Sequence, residues 1–578
     1  MAIELSRSEG SAPNALTGKG WLSLLVGAIF LGGLLVFGTT TIEKHYLKTN
    51  PFFFDPVGYI SVAQDLGDEV EERGRWAVAG DELEDGLFPG YTVPLILLAP
   101  AQLGFQTPHT LVILPMIIVG LFLIGAVVAR LWRDTISGWA AMLLSLAVPG
   151  YWYPETGLGT FWLDLPAGFL GAGAVATLLL WMISGRRLWL VIFGILAGWL
   201  VTCRYVAAAY LLVTGGPVVA FALWQRARKG IAWGRLAMDV GILAGSVAVF
   251  ALPFLVWRME SMLLHYGTKS FGYQGVWASV VFTYDAFIGF LGWPFFLVSL
   301  GFGVAAAFAS GHRGKGLLAR ITMPFWVANA TLLFLGLTTQ IGVAWHAVQF
   351  QAPLWVLGLF LVAPPAGYQP GLGRIRIDRP ELFLRVSVRS TAIMVALVFA
   401  ILAAWQSWRL GAVTQLENVA RFELNQDLAL EIQELPADAV VGLFYENLDI
   451  EGHRLNVEMR HRAKRDVLLA QQLPLYHLQS IWEAEYPGET VESLTKRYLT
   501  ELDQGVDVAM VYSDPEDVDE VRFCEFALFA NPYSHGIAKA VAAHVAASPD
   551  WVEVGRIPTD LYQSISLYRN LRRQTTDE

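Results

Sequence analysis

The side chains of this 578-residue chain best placed to do chemistry stand at the edges of long apolar runs. Asp55 lies in Pro51-Phe52-Phe53-Phe54-Asp55-Pro56, ahead of an amphipathic stretch that puts Tyr59, Ala63 and Leu66 on one helical face. A carboxylate there is either a helix cap or, where apolar surroundings favour its neutral form, a proton acceptor. Asp164 begins another apolar run, nine positions after Glu155 in Tyr151-Trp152-Tyr153-Pro154-Glu155. An ionisable group at the edge of lipid is a candidate functional residue, with a helix cap as the equal alternative. Glu155 fits a surface position. The two acids do not form Asp-x-Asp, so a divalent metal is possible but has no ligand motif behind it.

Arg204 closes the run Gly198-Trp199-Leu200-Val201-Thr202-Cys203. A fixed guanidinium there would stabilise charge developing on a phosphate, whereas a bland arginine would only snorkel to the interface. His265, Tyr266, Lys269 and Tyr273 follow Arg258 in a polar, aromatic segment able to close over a sugar phosphate or to serve as a solvated connection. His346 sits at the start of a late apolar run, where a structural role is the simpler one. Trp76, Tyr151, Trp152 and Tyr153 lie where sugars could stack, although interfacial belts account for the abundance of Trp and Tyr.

These residues must be held by a membrane-embedded scaffold. The chain is 55% hydrophobic with mean hydropathy +0.47, and its apolar residues gather into runs. About eleven spans are expected: Trp21–Thr41, His109–Leu131, Ile136–Pro149, Phe161–Ile183, Leu188–Thr202, Tyr205–Trp224, Met238–Trp257, Phe287–Ala309, Ile321–Leu337, Trp345–Val362 and Thr391–Trp408. The first reads as an uncleaved anchor. Arginines and lysines collect in every second link, as at Arg130 and Arg133, Arg186 and Arg187, and Arg226 to Arg235. By the positive-inside rule those links and the N-terminus are cytoplasmic. Ile42 to Gly90 carries 4 basic against 11 acidic residues, and Gly411 to Glu578 carries 14 against 29, so both belong outside. An acidic outer surface gives no footprint for nucleic acid. Two cysteines, Cys203 and Cys524, cannot make a disulfide framework. The stretch Tyr91 to Pro100 is too short to cross and is expected as an interfacial or re-entrant helix.

The expected fold class is mainly α. A polytopic transmembrane domain over 1–410, with outer loop 42–108, precedes a soluble extracytoplasmic α/β domain over 411–578. In that second domain Ala439–Tyr445, Val506–Tyr512, Trp551–Ile557 and Ser564–Tyr568 read as strands, and Glu417–Leu435 and Ser534–Ala547 as helices.

An Asp after the first span, Tyr four residues on, Ala eight residues on, Gly74-Arg75-Trp76 and Pro89-Gly90-Tyr91 together resemble the first outer loop of the type C (GT-C) glycosyltransferases. That superfamily includes protein mannosyltransferases and aminoarabinose transferases. The resemblance covers about the first half of the chain. It implies a sugar donor carried on a polyprenyl phosphate, a glycan, lipid or protein acceptor, and work among membrane lipids on the extracytoplasmic side, in a bacterial inner membrane. Asp55 matches the general base of an inverting transfer, with Asp164 beside it. Arg204 matches the residue facing the donor phosphate, with Lys269, His265 and Tyr59 as further donor contacts. Glu155, Trp152, Tyr266 and His346 would meet sugar or acceptor. Pro56 stands where many relatives have a second acid, which tells against a paired-acid or metal site. The alternatives are a transporter or flippase of a lipid-linked saccharide and a non-catalytic cell-envelope assembly protein. Against transport, no inverted repeat or pair of broken helices is visible.

Overall fold

The computed structural model describes residues 16–47, 65–98, 106–132, 135–152, 163–258, 289–297, 351–360, 428–443, 468–472, 487–513, 532–557 and 564–574, with scattered positions omitted. The chain is mainly helical. Helix α1 (Gly18–Leu47) is followed by two short helices, α2 (Arg75–Glu84) and α3 (Pro89–Leu98). Then come α4 (Gln106–Trp132), α5 (Thr135–Leu146), a 3-10 turn at Pro149–Trp152, α6 (Asp164–Ser184) and α7 (Leu188–Cys203). Helices α8 (Val206–Arg228), α9 (Trp233–Phe250) and α10 (Leu252–Trp257) follow, and the helical residues 351–358 join the same core. Among the described residues, α1, α4, α6 and α9 contain segments long and apolar enough to cross a membrane. The sequence predicts one span over Met238–Trp257, but the helix breaks at Ala251, because Pro253 cannot donate the backbone bond that would continue it. The spans expected from Phe287 onward lie wholly or mostly outside the described residues.

The bundle is organised around α6. Every residue from Asp164 to Trp181 is buried, as expected of a helix apolar on all sides. By contrast α1 has two faces. Leu24, Ala28, Leu31 and Leu35 are buried at helical spacing, while Val26, Ile29, Phe30 and Phe37 are exposed. In lipid the association of such helices depends on close contact of surfaces. Helices α4 and α6 achieve it at Gly120, where a Cβ would overlap the carbonyl oxygen of Phe169, and at Gly173, where a Cβ would lie 3.2 Å from the Gly120 Cα. Helix α9 is bonded to α7 through the Ser246 hydroxyl, which donates to the Leu190 carbonyl at 3.1 Å.

Residues 440–570 contribute a five-stranded sheet with its own apolar core. Its strands are β1 (Val440–Leu443), β2 (Leu468–Gln472), β3 (Val508–Tyr512), β4 (Trp551–Ile557) and β5 (Ile565–Asn570), in the order β2-β1-β3-β5-β4. β1 runs parallel to β2 and β3, and β5 runs antiparallel to β3 and β4. Helices α11 (Val491–Gly505) and α12 (Pro532–Ala547) pack on it, and α13 (Leu571–Gln574) follows β5. Thr490 and Ser493 form a reciprocal cap at the start of α11, which buries Leu494, Tyr498 and Leu502. Strand β2 and helix α11 are additions to the elements that the sequence pattern suggests.

The α4–α6 contact makes a direct prediction. Gly120→Val is expected to lower stability by about 1–3 kcal/mol through overpacking. Gly216→Ala in α8, where a Cβ meets nothing within 4 Å, is expected to stay within about 0.5 kcal/mol. Thermal unfolding of the detergent-solubilised variants measures both, and equal midpoints would refute the close crossing.

Candidate functional site

Helices α6 and α7 are antiparallel neighbours joined by Gly185, Arg186 and Arg187, so the first residue of α6 and the residue after α7 come to the same end of the bundle. Those residues are Asp164 and Arg204. Arg204 Nε donates to Asp164 Oδ1 at 2.7 Å and Arg204 Nη2 to Asp164 Oδ2 at 2.5 Å, a side-on fork that engages both carboxylate oxygens. Asp164 is 1% exposed and the Arg204 side chain 13%. Each charge also suits its helix end, the acid at an N-terminus and the base at a C-terminus. Arg204 caps α7 as well, its backbone N–H donating to the Leu200 carbonyl.

The short helix α3 lies across this end. Pro89 occupies its first position, where a fixed φ and a missing N–H cost nothing. The helix and the residues just ahead of it are held at three points. Trp199 Nε1 donates to the Gly90 carbonyl at 3.1 Å, the Tyr91 hydroxyl pairs with His109 Nδ1 at 2.9 Å, and Arg258 Nη2 donates to the Gly86 carbonyl at 3.0 Å. Gly90 permits the approach, since a Cβ there would overlap the Thr202 hydroxyl and lie 2.8 Å from the Cys203 amide nitrogen. Phe88, just ahead of α3, places its ring 5.6 Å from the Arg204 guanidinium carbon. The first loop is thereby seated on the residue that ends α7.

Among the residues singled out in the sequence, Asp164 and Arg204 are therefore brought together. Trp152 is half-buried, its indole Nε1 donating to the Leu146 carbonyl at 2.6 Å and its ring against the Gly38 position of α1. Tyr151 is fully buried against Phe169 and Phe290. Among the described aromatic candidates, Trp76 on α2 is the most exposed. Asp55, Tyr59, Glu155, His265, Tyr266, Lys269 and His346 lie outside the described residues, as do Tyr153 and Tyr273. The Tyr91–His109 pair is an addition; its signal in the sequence is a lone histidine opening an apolar run. Among the described residues no group of three or more His, Cys, Asp and Glu side chains could hold a metal ion.

Chemically, the pair is an oriented guanidinium with a built-in counter-ion. Asp164 accepts a hydrogen bond from Arg204 on each of its oxygens. Its present geometry suits holding the guanidinium in place.

No family model matches the sequence, and no curated protein matches it. The fold is nevertheless found among solved structures. ArnT from Cupriavidus metallidurans in the apo state superposes with a TM-score of 0.51 at 14% identity, over 95% of this chain and 98% of that one. The same protein bound to undecaprenyl phosphate gives a TM-score of 0.55, also at 14% identity over 95% and 98%. The chain thus shares its fold with ArnT over nearly its whole length, in agreement with the resemblance noted in the first loop.

The buried pair can be tested by a double-mutant cycle. Asp164→Asn leaves a buried guanidinium facing a neutral amide and is expected to cost about 3–5 kcal/mol. The double variant Asp164→Asn/Arg204→Gln is expected to cost clearly less than the sum of the two single variants in thermal unfolding. Strict additivity would show that the two residues do not interact.

Proposed function

We propose that the chain is an integral membrane glycosyltransferase that moves a sugar from a polyprenyl-phosphate donor to an acceptor at the extracytoplasmic face, with inversion at the anomeric carbon. The observation that carries this reading is the convergence of Asp164 and Arg204 beneath the first-loop helix α3, in a fold shared with a protein solved with undecaprenyl phosphate bound. The Asp164 end of the bundle is then the outer end, which agrees with the arginine-rich links at the opposite end.

In this mechanism Asp55 removes the proton from an acceptor hydroxyl as its oxygen attacks the anomeric carbon. The bond from that carbon to the phosphate oxygen breaks, and the polyprenyl phosphate leaves with the electron pair. Arg204 stabilises the charge that grows on the leaving phosphate, assisted by Lys269, His265 and Tyr59. Asp164 is assigned to fixing the guanidinium plane. A preset fork avoids the ordering of a flexible side chain at the moment of reaction. Glu155, Trp152, Tyr266 and His346 are assigned to sugar or acceptor contact. The acidic C-terminal α/β region, placed at the same face, is assigned to the acceptor side.

The decisive assay reconstitutes the protein in liposomes with a radiolabelled polyprenyl-linked sugar and follows label transfer. Asp55→Asn is expected to reduce transfer by about 10²–10⁴-fold, the usual contribution of a positioned base, while binding of polyprenyl phosphate persists. Undiminished transfer by that variant would remove Asp55 from the mechanism. Movement of the lipid across the bilayer without any glycosidic bond formed would favour a flippase.

A further inference from the structure

The opposite end of the bundle holds a second buried carboxylate, and its surroundings are charged differently. Asp239, 4% exposed on the second turn of α9, meets two arginines from two other helix ends. Arg187, directly ahead of α7, donates from Nε to Asp239 Oδ1 at 2.7 Å. Arg226, in the last turn of α8, donates from Nη1 to Asp239 Oδ2. One carboxylate thus serves two guanidinium groups and leaves one positive charge in excess.

Donor capacity is also left over. Among the described residues, Nη1 and Nη2 of Arg187 and Nε and Nη2 of Arg226 meet no acceptor. Arg226 lies over the ring of Trp181, 4.5 Å from its centroid, and the buried indole Nε1 of that tryptophan meets none either. The Arg226 side chain is only 15% exposed, so water replaces the missing acceptors poorly, while the Arg187 side chain is 40% exposed and opens the triad to the exterior. Arg228, stacked on Trp224, and the exposed Arg186 flank the triad. The N-terminus of α7 adds its partial positive charge immediately after Arg187.

The level of this triad in the membrane is marked by aromatic residues. Trp21 and Trp189 stack at 6.2 Å at the starts of α1 and α7, and Trp224 and Trp233 are exposed nearby in sequence at the end of α8 and the start of α9. Tryptophans gather at the headgroup level. A phosphate group there is held at high local concentration by the bilayer itself, and basic pockets between transmembrane helices favour anionic headgroups.

We propose that Arg187, Arg226 and Asp239 form a binding site for one monoanionic phosphodiester, the headgroup of an anionic phospholipid. The phosphate oxygens accept from the outer nitrogens of Arg187 and from Arg226, while Asp239 holds one nitrogen of each guanidinium. The site lies at the far end of α6 from Asp164 and is independent of the glycosyl-transfer reading.

The test uses the full chain in a neutral detergent, titrated separately with phosphatidylglycerol, phosphatidylcholine and inorganic phosphate. Native mass spectrometry counts bound lipid, and the unfolding midpoint is followed in parallel. Phosphatidylglycerol is expected to be retained and to raise the midpoint, and the other two to do neither. Arg187→Gln is expected to weaken phosphatidylglycerol binding about fivefold, the effect of one arginine at an anionic surface. Arg187→Lys, which keeps the charge but loses the fork, should fall between. Arg235→Gln, an exposed basic residue on the first turn of α9 outside the triad, should match the unaltered protein. Equal responses to the two lipids, or equal losses in the Arg187→Gln and Arg235→Gln proteins, would overturn the proposal. A rise with inorganic phosphate alone would overturn the lipid assignment and leave a free-anion site.

Discussion

A charge placed inside an apolar bundle is tolerated only where an opposite charge meets it, and this constraint shapes both ends of α6. Moving an ion out of water costs several kcal/mol, and a partner in good geometry offsets that cost only while both members stay in place. Asp164 answers the constraint with a single arginine and Asp239 with two. In each case the partners come from different helices, so the ion pairs fix the relative heights of α6, α7, α8 and α9 as well as their own side chains. Helix α6 is tied by the Asp164 pair at one end, and at the other its Trp181 lies under Arg226 of the triad that joins α7, α8 and α9.

That arrangement explains the division of roles proposed at the outer end. A guanidinium that waits without a partner in a dry site would be costly, and one that is fully solvated would be mobile. Arg204 avoids both states because Asp164 holds its fork and Phe88 covers one side. The bonds from Trp199, His109 and Arg258 join α3, and the residues just ahead of it, to the end of α7.

Much of this was legible in the sequence because lipid makes its requirements plain. Long apolar runs and arginine-rich links give the helices, and an ionisable side chain at the end of a run stands out, which is how Asp164 and Arg204 are found separately. Their pairing was not legible, because it depends on which helix ends meet. Asp239 escaped notice for a related reason. It sits at the start of an apolar run beside basic residues, where an acid reads as ordinary until two arginines are seen to converge on it. The break at Pro253 could have been read from the proline, but the run Met238–Trp257 is long enough to hide it. In the C-terminal region the apolar strand β3 and the alternating Ile565-Ser566-Leu567 of β5 declare themselves. Leu468–Gln472, half polar, does not, and it is a strand because β1 offers it a parallel edge.

Helix α7 has only 16 residues, and its Leu188, Val191 and Ile195 face outward along one stripe. At 1.5 Å per residue its apolar height is about 24 Å, against roughly 30 Å for an ordinary hydrocarbon layer. Acyl chains that contact this stripe must shorten or splay, at an elastic cost of a fraction of a kcal/mol per ångström of mismatch. A bilayer that thins to match α7 brings headgroups and their water down towards Arg204, closer than they would lie beside a longer helix of the bundle.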